Sequence, residues 1–137
     1  MTSLLNQTLD PLADALRVSG YRQQLLAANI ANANTPNYKG VDIPFAKTLQ
    51  AMQAGQGMGF PMETNQARQF TTAPGSLALA SFVQYQRGSA VGLDGNSVDM
   101  NQEQSAFAQN GVRYQADVTF LTGKIKSLLS AITGTTQ

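Results

Sequence analysis

The stretch LLAANIANANTPNYKG, residues 25–40, decides how the chain folds. It opens as an apolar helical pattern, then carries asparagines at positions 29, 32, 34 and 37 around a Thr-Pro step. Asparagine side chains compete with the helical backbone for hydrogen bonds, so such a concentration at a helix end is not filler. The residue before a proline is biased away from the helical region, which makes Thr35 the expected stop. Pro36-Asn37 suits the centre of a type II turn, because Asn tolerates the positive φ required there. A long helix therefore runs into this stretch, and a tight turn leaves it.

Upstream, apolar residues from Leu5 to Ile30 recur at heptad spacing. Leu9, Leu16 and Ile30 share one position, and Leu5, Leu12 and Leu26 share the one three residues later, giving one amphipathic helix. Ser19 and Gln23 weaken that seam at mid-length. Pro11 is expected to open the main helix as a first-turn residue with Asp10 as its cap. Downstream, Val118, Ile125 and Ile132 occupy one heptad position while Met100, Phe107, Tyr114, Leu121 and Leu128 occupy its partner. The second helix is predicted over 97–132, capped by Asn96 or Ser97 after an Asp94-Gly95 turn. Lys124 and Lys126 lie toward the end that the helix dipole makes attractive to cations. At about 1.5 Å per residue it spans roughly 54 Å, too long for a compact domain of this size.

Residues 41–95 change character: Gln, Gly, Met, Ser, Thr and Pro dominate, and no helical period is evident. Segments 68–72 and 77–86 read as short extended pieces around Ala73-Pro74-Gly75-Ser76, predicting a small β element. The expected fold is mainly α. Long N- and C-terminal helices form an antiparallel coiled-coil-like pair, and an irregular middle segment carries the β element. The divisions fall at residues 1–35, 36–95 and 96–137. Setting Leu5 opposite Ile132 places Leu26 over Gly111 and Gln23 near the Tyr114 hydroxyl.

Composition limits the function. The chain has 137 residues, 42% hydrophobic, with a formal charge of +1 and no Lys/Arg run, so neither nucleic acid nor anionic lipid is an expected partner. It has no cysteine and no histidine, which removes disulfides, the common nucleophile systems and the usual zinc ligands. No apolar run approaches the roughly 20 residues that span a bilayer. The segment MTSLLNQTLDPLADALRV lacks the parts of an ordinary secretory signal. Glycoside cleavage needs two placed carboxylates. The only glutamates are Glu63, in the irregular middle, and Glu103, expected on the solvated side of the second helix near its positive end. Asp42, Asp94 and Asp99 have no calcium-loop spacing, with Asp94 read as turn chemistry and Asp99 as a first-turn complement to the dipole. No enzyme activity, metal, cofactor or small-molecule substrate is expected.

Val18, Tyr21 and Leu25 on the first helix, and Val112, Phe120 and Leu129 on the second, lie off the seam. Singly, such residues are ordinary surface. Together, on long helices with little core behind them, they predict burial against neighbouring subunits, in heterologous contacts that build rings or filaments. A helical adaptor that docks into a partner's groove is the rival reading.

AANIANANTPNYKG, residues 27–40, closely resembles the ANNIANANTPGYK signature of the bacterial flagellar rod, hook and hook-associated axial proteins. It stands, as in that family, at the end of the N-terminal helix. LDGNSVDMNQEQSAFAQNGVRYQADVTFLTGKIKSLLSAI, residues 93–132, is similar to the C-terminal half of the family's proximal-rod members. DGN precedes the helix, VD starts it, RYQA lies at its centre and GKIK near its end. Asn37 stands where the family has Gly, and Ala28 replaces the first Asn of the NNIAN form.

The resemblance implies a structural subunit of the proximal rod, built into a hollow shaft that transmits torque and continues the export channel. Another rod-type axial protein is the near alternative. It implies terminal helices that order on assembly, passage through the flagellar type III export apparatus without a cleaved signal peptide, and a place in the periplasmic part of the basal body. Partners are copies of itself and other rod and basal-body proteins, including the rod-to-membrane-ring adaptor. The assembly residues are then Leu9, Leu12, Leu16, Leu26, Asn29, Ile30, Asn32, Asn34, Pro36 and Tyr38 on the N-terminal side. On the C-terminal side they are Phe107, Tyr114, Val118, Leu121, Ile125 and Leu128. The amides of Asn29, Asn32 and Asn34 suit either an adjoining subunit's backbone or the orphan carbonyls of their own helix end.

Overall fold

A computed structural model describes residues 2–54, 79–86 and 92–134, with side chains from residue 9 onward in the first helix. Helix α1 covers Thr2–Ala31 and contains Pro11. The expected start at Asp10-Pro11 is therefore wrong. An interior proline forfeits one backbone hydrogen bond at about 3 kcal/mol, and the leucine- and alanine-rich turns on both sides carry the helix through it. The helix ends at Ala31, before Thr35, and residues 32–37 continue as turns.

Strand β1, Val41–Asp42, pairs antiparallel with β2, Gln84–Tyr85, in the register Val41↔Tyr85 and Asp42↔Gln84. Between them lies α2, Phe45–Gln53, where no helical period had been expected. Its apolar residues Phe45, Leu49 and Met52 have helical spacing, but nine residues of pattern are easily lost beside a Gln- and Gly-rich tract. Of the expected extended segments, 68–72 lies outside the described residues. Of 77–86, residues 79–86 are described: the chain turns at Leu79–Phe82, with Phe82 N–H donating to Leu79 C=O (3.1 Å), and among these residues only Gln84–Tyr85 is a strand.

Helix α3 covers Met100–Thr133. Asp99 is its N-cap, in place of the expected Asn96 or Ser97: its Oδ1 accepts from the N–H groups of Asn101 (2.9 Å) and Gln102 (3.2 Å). Gly134, in the left-handed conformation at φ 67°, closes the other end.

α1 and α3 pack antiparallel, displaced by about one turn from the expected register. Gly111 faces Gln23, not Leu26, and the Tyr114 ring lies over Gly20. Polar groups dictate this, since Ser19 meets Asp117 and Gln23 meets Asn110. Leaving such groups buried and unpaired would cost more than a better match of leucines returns.

The core is small. Val18, Ile43 and Leu79 are buried together, with Tyr21, Leu25, Phe45, Met52 and Phe82 packed against them. The off-seam residues Val18, Tyr21 and Leu25 are thus covered by the chain's own middle segment, where neighbouring subunits had been expected. Val112, Phe120 and Leu129 on α3 stay exposed.

Candidate assembly site where two motifs meet

The asparagine-rich end of α1 closes on itself first. Asn32 Nδ2 donates to Ala28 C=O (2.8 Å), and Asn32 Oδ1 accepts from the Thr35 hydroxyl (3.2 Å). Tyr38 N–H reaches Thr35 C=O (3.3 Å) across Pro36-Asn37, and Asn37 adopts φ 60°, as the turn chemistry requires.

The DGN segment before α3 then docks onto this end. Asn96, buried, donates through Nδ2 to the carbonyls of Asn32 (3.0 Å), Ala33 (2.8 Å) and Thr35 (2.9 Å), two protons shared among three acceptors. Its Oδ1 accepts from Val98 N–H at 2.8 Å. Asn37 N–H donates to Asp94 C=O (3.0 Å), Ser97 N–H to Tyr38 C=O (3.1 Å), and Gly40 N–H to Ser97 Oγ (3.0 Å). Lys39 Nζ adds a bond to Gly95 C=O at 2.8 Å. Gly95 has φ 78°, and a Cβ there would collide with the Asn37 side chain, so only glycine fits. One side-chain amide thus caps the helix end from 61 to 64 residues away in sequence.

A second layer lies beneath the clasp. Asn29 is wholly buried and fully bonded: Nδ2 donates to Val41 C=O (2.7 Å) and Glu103 Oε2 (2.9 Å), while Oδ1 accepts from Val41 N–H (3.1 Å) and the Tyr38 hydroxyl (3.3 Å). Glu103 Oε1 accepts from Gln86 Nε2 at 2.7 Å. Glu103 is only 1% exposed, so its expected solvated position is wrong. Asn29 at the end of α1 and Gln86, just after β2, meet it there, which no pattern within the helix reveals. Beside it Arg22 forms a two-pronged pair with Asp42, Nε to Oδ1 at 2.8 Å and Nη2 to Oδ2 at 2.7 Å. That hydrogen bonding raises the Arg22 pKa, against the opposing effect of burial and with further help from the charges of Asp42 and Glu103.

Along the helix pair, the Ser19 hydroxyl donates to Asp117 Oδ2 (2.6 Å), and Asn110 Nδ2 donates to Ser19 C=O (2.9 Å) and Gln23 Oε1 (2.6 Å). Arg113 stacks over the Phe45 ring at 4.6 Å, tying α3 to α2. An open cleft of roughly 350 Å³ beside β2 is lined by Arg22, Asp42, Tyr85 and Gln102 among others. Its two charges already neutralise each other, so it offers no free acid or base.

Residues 21–39 match the model of the family described as "Flagella basal body rod protein". The chain is 38% identical over 135 residues to the flagellar basal body rod protein FlgB of Proteus mirabilis, covering 96% of this chain and 98% of the relative. It is 36% identical over 134 residues to FlgB of Escherichia coli, covering 96% and 97%. Over 122 residues it is 41% identical to FlgB of Cereibacter sphaeroides, covering 89% and 91%. The chain belongs to the FlgB family of flagellar basal body rod proteins. FlgB proteins are structural, and this one is a rod protein and not an enzyme.

In this FlgB-family chain the family-matched segment begins at Tyr21, in the second half of α1, and ends at Lys39, inside the clasp. Asn29, Asn32 and Tyr38 come together there, while Asn34 and Pro36 stand exposed. Leu26 is buried; Leu9, Leu12, Leu16 and Ile30 are half-buried along α1. On α3, Val118, Leu121 and Leu128 are half-buried, and Phe107, Tyr114 and Ile125 are exposed. Asn29 and Asn32 find their partners within the chain, which is the local of the two roles expected for them. Sequence reasoning missed Asn96, Glu103 and Asn110. The last two lie seven residues apart, with Asp117 seven further on, a polar heptad row that the search for apolar rows passed over.

Proposed function

We propose that this chain is a proximal-rod subunit that polymerises through α1 and α3 into a hollow shaft, which transmits torque and continues the export channel. One observation carries the reading: Val112, Phe120, Ile125, Leu129 and Ile132 all stand exposed on α3. Ile125, Leu129 and Ile132 share one side of the helix, and Val112 and Phe120 lie elsewhere around it. So much bare apolar surface is unfavourable in water and is covered when neighbouring subunits pack against it. The membership of the FlgB family supplies the assembly in which such neighbours exist. Leu9, Leu12, Leu16, Phe107, Tyr114, Val118, Leu121, Ile125 and Leu128 then line the contacts between subunits. The divisions 1–35 and 96–137 serve as assembly core, and 36–95 is the turn and middle segment that joins them.

On this reading the partners are further copies of the chain, the other rod proteins and the adaptor to the membrane ring. The subunit reaches the periplasm through the flagellar type III apparatus with its N-terminus uncleaved, and the exposed half of α3 orders fully only on assembly.

Phe120→Asp tests the proposal in a strain lacking its own copy of the protein. The expected result is export at normal level with no completed rods and no swimming in soft agar. Normal rods and normal swimming would overturn the reading. A closed complex of fixed stoichiometry, formed by the unaltered protein with one partner and unaffected by Phe120→Asp, would replace it with the adaptor role.

A further inference from the structure

We infer that Glu103, Asn110 and Asp117 select the helix accepted on the face of α3 that they line, which is α1 in a single register and never a second α3. The inference concerns pairing within one chain and holds whether or not the rod reading does. The residues recur every seven along α3 and so lie on one face. That face meets α1: Asn29 donates to Glu103 at 2.9 Å, Asn110 donates to the Ser19 carbonyl at 2.9 Å and to Gln23 at 2.6 Å, and Ser19 donates to Asp117 at 2.6 Å. Glu103 and Asn110 are almost wholly buried, as are Ser19 and Asn29.

The order of the row makes it selective. Its only donor, the Asn110 amide, stands between two carboxylates that can only accept. A slip of one heptad in either direction brings a carboxylate onto the Ser19 carbonyl, an acceptor against an acceptor. Two copies of α3 fare no better. Aligned antiparallel about Asn110 they set Glu103 against Asp117, and aligned parallel they set each carboxylate against itself. Both arrangements bury like charges. Asn110 Oδ1 is buried without a partner among the described residues, a cost accepted in the native register. Buried polar groups at helix interfaces trade stability for a single register in this way. The Phe107, Tyr114 and Leu121 row beside them is apolar and by itself admits several registers.

The chain has no cysteine, so engineered pairs report the register cleanly. In the full-length protein, Gly20→Cys combined with Tyr114→Cys reports the native register. Gly20→Cys combined with Phe107→Cys or with Leu121→Cys reports the two slips. The parent is expected to cross-link only in the first combination. Glu103→Gln with Asp117→Asn keeps shape and an acceptor oxygen at each site but puts an amide at all three positions. At position 103 the new NH2 group faces either the Asn29 or the Gln86 donor, so one of those two bonds is lost with the charge. The variant is expected to lower the preference for the native pair by roughly tenfold or more and to yield α3–α3 dimers linked through Tyr114→Cys. Glu103→Leu with Asn110→Leu and Asp117→Leu is expected to do the same while raising the thermal midpoint. Retention of the native cross-link alone, with no dimers, in the Gln/Asn variant overturns the inference, whatever the Leu variant does.

Discussion

The off-seam face of α1 and the exposed face of α3 read alike in sequence and end in opposite environments. Val18 is 0% exposed, because α2, β1 and the turn at Leu79 fold back over it; Val112, on the longer helix, is 74% exposed. The same residue type on the same kind of helix is core in one place and bare surface in the other. Only the path of the intervening chain separates them. Among the described residues, the middle segment shelters α1 and touches α3 in its first half, through Gln86 on the buried Glu103 and Phe45 under Arg113. What remains bare on α3 is therefore the surface available to other molecules.

Val18→Asp should give the largest effect, since it places an unpaired charge in the small core. We expect a loss of about 4 kcal/mol or more in a thermal or denaturant melt of the purified chain. A loss below about 1 kcal/mol would erase the contrast. Asn96→Ala comes next, because it strips three carbonyls at the end of α1 of their shared donor, and the same melt should fall by about 2 kcal/mol. Cross-linking between the helices should weaken with it. Val112→Asp should be the mildest, within about 0.5 kcal/mol of the parent for the isolated chain. Its effect should appear instead in sedimentation at high concentration, as reduced self-association. A large loss of stability in the lone chain would show that α3 is covered after all.

Both helices, their antiparallel pairing and the Pro36-Asn37 turn were legible in the sequence, because each rests on local rules: a repeat of seven, a proline and a residue tolerant of positive φ. Family membership was legible from the asparagine-rich turn and the DGN segment. That the two segments bind each other was not, since Asn96 in isolation reads as a turn or a cap. Glu103 was misplaced for a related reason. Burial depends on what lies across from a residue, and Asn29 and Gln86 arrive there from elsewhere in the chain. The register erred by a turn because leucines were matched while the Ser19 carbonyl, invisible in any side-chain pattern, was ignored. α2 was lost because Phe45, Leu49 and Met52 offer barely two turns of signal.

The clasp also has a mechanical consequence. α1 and α3 run antiparallel away from it, so their far ends point the same way. Tension applied to those two ends peels the helices apart instead of sliding them past each other, with the rung at Asp117 yielding first, then Asn110, then Glu103. Each step breaks only one or two hydrogen bonds, so the force needed is that of a single rung. A molecule joined like a zip is thus opened from its loose end, one rung at a time.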